Sequence, residues 1–61
     1  MKYMESVLRI GDKVRITSEN LHPRTPTSGT YTGPRYGMCA VLLDGTQTTL
    51  VFPRRELDVQ S

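Results

Sequence analysis

Met38 to Pro53 reads MCAVLLDGTQTTLVFP, in which six apolar residues meet Asp44-Gly45 and a threonine-rich return ends in Leu50-Val51-Phe52. Two β-prone runs joined by Asp-Gly predict a hairpin, since Asp-Gly accommodates the tight turn that matches strand twist. Either a two-residue loop, Asp44-Gly45, or a three-residue loop with Gly45 or Thr46 beside a bulge closes it. A strand of a small sheet has one core face, so Met38 to Leu43 buries only alternate residues within its own domain. The surplus is either Ala40 and Leu42 or Cys39, Val41 and Leu43, and Leu50-Val51-Phe52 repeats the problem next door. A one-residue change of register exchanges the two sets, and the sequence leaves both open.

Upstream of this hairpin, Lys13-Val14-Arg15-Ile16-Thr17 alternates polar and apolar residues after Gly11-Asp12, which predicts a half-buried strand with Val14 and Ile16 inward. Residues 18–30 hold two prolines, a glycine and many small polar side chains, a composition that predicts a long first loop. Thr30-Tyr31-Thr32 fits a strand, Gly33-Pro34 breaks or bends it, and Arg35-Tyr36-Gly37 leads into the hairpin, with the neighbouring glycines able to present Arg35 and Tyr36 on a protruding turn. Downstream, Pro53 ends pairing, Arg54 to Leu57 has the length of one 3-10 turn, and Asp58-Val59-Gln60 suits a last short strand. Met1 to Ile10 fits a helical turn and an early strand equally.

The whole chain, residues 1–61, is expected to form one domain with residues 1–8 as an N-terminal extension. At this size only about 60% of the unfolded surface is buried on folding, so stability calls for regular packing or association. One cysteine, Cys39, excludes an internal disulfide, and His22 with one Cys supplies no zinc set, so neither a metal nor a cofactor is expected. No segment approaches the roughly 20 apolar residues of a membrane span, and Glu5 and Arg9 interrupt the apolar N-terminus, so a reducing cytoplasm is the expected location. The net charge of +2 is a mild basic excess.

The order strand, long loop, three strands, short turn and strand resembles an SH3-like small barrel. The residues that carry the resemblance are Gly11 to Ile16 as first strand, Asp44-Gly45 as distal turn, and Leu50-Val51-Phe52-Pro53 followed by Leu57 as fourth strand and turn. It covers roughly residues 8–60. It implies an all-β, five-stranded SH3-like barrel with a long first loop and a single 3-10 turn before the last strand. Similar openings and closings recur in translation-factor and ribosomal KOW modules, in photosystem I and ferredoxin-thioredoxin reductase accessory subunits, in the nitrile hydratase β subunit and in plasmid type II dihydrofolate reductases. The reductases carry Gln, Ile and Tyr before the proline of the closing strand, where this chain has Leu50, Val51 and Phe52. Leucine in place of the ligand-contacting Gln removes the polar handle of that activity.

No nucleophile here has a sequence-local base and orienting partner, so no catalytic residue is assigned and a non-enzymatic module is expected. Cys39, inside the apolar run, reads as a small buried hydrophobe. Outward apolar residues on paired strands form a patch that meets another surface. The expected function is therefore a binding or accessory module that assembles with itself or with a larger protein. Its partner-binding residues would be Leu42, Leu50 and Phe52, with Arg24, Arg54 and Arg55, joined by Arg35, as a charged rim. An intramolecular alternative has Met1 to Leu8 folding over the patch. The second functional reading is a nucleic-acid-binding barrel in which Lys13, Arg15 and Arg35 neutralise phosphates and Tyr31 and Tyr36 stack on bases. A proline-peptide groove is disfavoured by the absence of Trp.

Overall fold

The computed structural model describes residues 7–60; the expectations for Met1 to Ser6 lie outside the described residues. Among the described residues, five antiparallel strands form a single sheet: β1 (Lys13–Ile16), β2 (Ser28–Arg35), β3 (Met38–Leu43), β4 (Thr49–Phe52) and β5 (Leu57–Gln60). Their spatial order is β4-β3-β2-β1-β5, and one 3-10 turn, Arg54–Glu56, joins β4 to β5. Among the described residues the backbone ladder runs from β4 to β5 without closing on itself. Phe52 and Leu57, on those two end strands, nevertheless belong to one buried cluster with Val14, Ile16, Tyr31, Cys39, Val41 and Leu43. The sheet therefore curls around a shared interior, against which Leu8 and Leu21 also pack.

The register of the central hairpin, open in the sequence, is settled by its partners. Tyr31 of β2 stands opposite Val41, and Cys39 stands opposite Phe52, so Cys39, Val41 and Leu43 face inward and Ala40 and Leu42 face out. Gly29 enforces this packing. A Cβ built there would lie 2.4 Å from the Leu42 carbonyl oxygen and 2.6 Å from Val41 Cγ1, so only hydrogen lets β2 and β3 approach so closely.

Two local expectations are corrected and a third is narrowed. The loop predicted over 18–30 is shorter, because Ser28 and Gly29 already pair with Arg15 and Val14 and the connection spans 17–27. Of the break or bend expected at Gly33-Pro34 only the milder form occurs: the register shifts between Tyr31 and Gly33 and the strand continues to Arg35. Arg35 and Met38 close a two-residue turn, so Pro34 opposite Cys39 occupies a non-hydrogen-bonded position, and its missing N–H removes nothing from the β2–β3 ladder. Finally, the tight turn is Tyr36-Gly37, where both φ values are positive (55° and 73°), as a type I′ turn requires. The Asp44-Gly45 connection is wider than predicted. Its last ladder pair is Leu42 with Thr49, Leu43 N–H donates to Thr48 O at 2.9 Å, and Thr46 N–H donates to Leu43 O at 3.2 Å.

Asp44 holds this wider loop to the rest of the sheet. Its carboxylate accepts hydrogen bonds from Lys13 Nζ and Ser28 Oγ, each at 2.6 Å, and its N–H donates to Ser28 O at 3.0 Å. The hydrogen bonds from Lys13 and then Ser28 hold its carboxyl below the ordinary value of 3.8, outweighing the desolvation that pushes it up.

Candidate docking site

With Cys39, Val41 and Leu43 turned inward, strand alternation puts Met38, Ala40 and Leu42 on the opposite face of β3. Ladder partners extend that outer face in three cross-strand rows. One runs Gln60, Lys13, Thr30, Leu42, Thr49; the next runs Gly33, Ala40, Val51; the last pairs Arg35 with Met38. Ile10, at the second position of a turn in which Asp12 N–H donates to Arg9 O, comes within 3.5 Å of the point a Cβ on Gly33 would occupy. Ile10, Ala40, Val51, Leu42 and Met38 thus form an apolar band across the face turned away from the core. Ile10 is 72% exposed and Leu42 36%, Val51 and Met38 are half-buried, and the small Ala40 between them is covered to 2% exposure.

The residues expected to bind a partner divide on this frame. Leu42 lies on the band. Phe52 does not: its register opposite Cys39 sends its ring into the core, where it is buried. Leu50, opposite Val41, also takes a core-facing register, yet it is 39% exposed because β4 is an end strand with no further strand beside it among the described residues. Of the four arginines, Arg35 borders the band next to Met38. Arg24 sits in the 17–27 connection, where its N–H donates to His22 Nδ1 at 3.0 Å. Arg54 donates from Nη1 to Leu57 O at 2.7 Å, and Arg55 lines an open cleft of about 280 Å³ with Thr17, Ser18, Glu19, Asn20 and Glu56. Those three place the basic rim around the 3-10 turn and the first loop, apart from the Arg35 border.

The nucleic-acid set divides similarly. Tyr31 is buried in the core and offers no ring for stacking, which corrects its assignment. Lys13 is ion-paired to Asp44 at 2.6 Å, and Arg15 stands cross-strand from Asp58, so both cations have acidic neighbours. Arg35 and Tyr36 remain exposed together at the hairpin tip, Tyr36 to 86%.

Sequence reasoning missed Ile10, Met38 and Val51 as members of the outer band. The alternation that would have found them is hidden in Met38–Leu43, where every position is apolar, and becomes visible only once Tyr31 and Phe52 fix the inward set. No group of three or more His, Cys, Asp or Glu side chains among the described residues is arranged to hold a metal ion. No helix among them is long and apolar enough to cross a membrane. No family model, curated protein or solved structure matches the chain.

Proposed function

We propose that this chain is a non-enzymatic docking module, SH3-like in architecture, that assembles with itself or with a larger protein. Its contact surface is the outer band of Ile10, Val51, Leu42 and Met38, with Arg35 at its border. One observation carries this reading: Ile10 and Leu42 stand exposed on the face opposite the buried cluster, to which neither belongs. A domain this small gains little by keeping such residues wet, whereas an interface needs an apolar centre with a polar or charged edge to fix orientation. The five-stranded order and the 3-10 turn ahead of β5 support the SH3-like assignment, with Phe52 and Leu57 bringing the two end strands onto one interior.

The test replaces Ile10 and Leu42 by Lys, singly and together, and follows both folding and assembly. Expected are thermal midpoints within a few degrees of wild type, together with loss of the wild-type assemblies detected by light scattering and crosslinking in the native lysate. Unfolding of both single variants would show instead that the band is needed for the chain's own packing, and would dispose of the docking role.

A second reading has one observation in its favour. Arg35 and Tyr36 present a cation and a bare aromatic face at a turn whose backbone holds Tyr36 at φ 55°. Single-stranded nucleic acid recognised at this tip would show affinity falling with salt and lost in both Arg35→Ala and Tyr36→Ala.

A further inference from the structure

The two end strands differ in how they meet solvent. The β5 edge, Leu57–Gln60, carries Asp58 and follows Arg54-Arg55-Glu56. From Gly45 to Pro53, by contrast, the β4 stretch has no charged side chain. Lys and other charges, inserted prolines and bulges are the devices by which folded chains keep sheet edges from pairing. Within β4 none is present; Pro53 comes only after the last ladder residue, and the β3–β4 register is regular through all its pairs.

The ladder also says which backbone groups are available. Leu43 N–H bonds to Thr48 O, so by the alternation of antiparallel pairs Leu50 and Phe52 exchange hydrogen bonds with Val41 and Cys39. Thr49 and Val51 therefore turn their N–H and C=O to the side on which no further strand lies among the described residues. A two-fold axis at Leu50 would set Thr49 of one copy against Val51 of the other, which matches donor to acceptor in both directions. The same axis makes Leu50 face Leu50 as the close, non-hydrogen-bonded pair, covering a side chain that a single copy leaves 39% exposed.

We infer that β4 is a homodimerisation edge, two copies joining antiparallel around Leu50 into one continuous sheet. The occupant is a second copy for two reasons. The edge is self-complementary in its hydrogen bonding, and because it bears no charge, a two-fold axis brings no like charges together. The inference deepens the self-assembly part of the proposed function and moves it from the outer band to the sheet edge.

Sedimentation velocity of the full chain from about 1 to 500 μM, with amide hydrogen exchange at both ends of that range, tests it. Expected is a monomer-to-dimer shift with concentration, in which the Thr49 and Val51 amides gain protection while the Leu50 amide is protected throughout. Thr49→Pro removes an N–H on the side away from β3 without removing a β3–β4 ladder bond, and should weaken dimerisation at least about tenfold. Leu50→Lys should do the same, and either variant suffices if the other does not fold. A monomer at every concentration would overturn the edge pairing while leaving docking through Ile10 and Leu42 standing. A dimer that ignores both variants but dissociates with Leu42→Lys would overturn the edge and place self-association on the band. Unchanged Thr49 and Val51 exchange in a concentrated dimer would also overturn it.

Discussion

Replacing Gly29 by Ala adds one methyl group at the most crowded point of the sheet. Its carbon would lie about 1 Å inside ordinary contact with the Leu42 carbonyl oxygen and nearly as deep into Val41 Cγ1, so a backbone and a fully buried side chain must both yield. Overpacking of a tight interior typically costs about 1–3 kcal/mol, and a clash with backbone belongs at the upper end. Ala recovers about 0.4–1 kcal/mol by restricting the unfolded chain, which leaves a net loss of about 2 kcal/mol. A chain of this length has a total stability of only about 3–9 kcal/mol, so the loss is a large fraction of it. The thermal midpoint should fall by about 8–16 °C, and the urea midpoint by about 2 M if the slope is about 1 kcal/mol/M. Both are read from circular dichroism at one fixed protein concentration, so that association does not enter. Midpoints indistinguishable from wild type would show that β2 and β3 do not approach as described, and the inward register built on them would fall with it.

Further predictions follow from the same geometry. Tyr36→Asn creates the Asn-Gly pair that a type I′ turn favours and relieves a tyrosine at φ 55°, so equilibrium unfolding should show a gain of about 1 kcal/mol; a loss would mean the ring makes a stabilising contact. Leu57→Ala should cost about 2–5 kcal/mol and Leu42→Ala under about 1 kcal/mol, since one is in the core and the other on the outer face; comparable costs would contradict the assignment of faces. Asp44 titrates below its ordinary 3.8, so its contribution is complete above that value and disappears as pH falls through the lower folded value. The stability gap between wild type and Asp44→Asn should therefore be present at neutral pH and close in strong acid, and a gap that persists there would separate it from the carboxylate. Cys39 is buried, so a thiol reagent should modify it only at the rate of chain opening, and rapid modification of native protein would place it at the surface.

Much of this architecture was readable before any coordinates. Lys13–Ile16 alternates cleanly, and the structure buries Val14 and Ile16 as the period requires. Pro53 with Arg54–Glu56 gave the 3-10 turn, because a proline ends the ladder and one turn is all that fits before Leu57 resumes it. The facing of the central hairpin was unreadable for a physical reason. An unbroken apolar run has no phase, and the information resides in Gly29, Tyr31 and Phe52 on its neighbours. The glycines around Arg35-Tyr36 marked a protruding turn, but not its tight two-residue form, because tyrosine seldom occupies a left-handed position, whereas Asp44-Gly45 advertised a tight turn that Thr46 and Thr48 open out through side-chain and backbone bonds. The outer band was half visible. Surplus apolar residues were countable, but which side chains made up the surplus depended on the missing phase.

The extra residue in β2 has a consequence for how the chain tolerates change in length. Counting by twos from Tyr31 would aim Arg35 at the apolar interior. With Thr32 spliced in, Gly33 meets Ala40, and the guanidinium emerges on the wet side beside Met38. Losing Thr32 would straighten the strand and keep those partners. Losing any one residue between Lys13 and Ile16 would instead turn a greasy side chain outward and a charged one inward. A single-codon deletion should thus be survivable at this one stitch of the fabric and ruinous a few residues away.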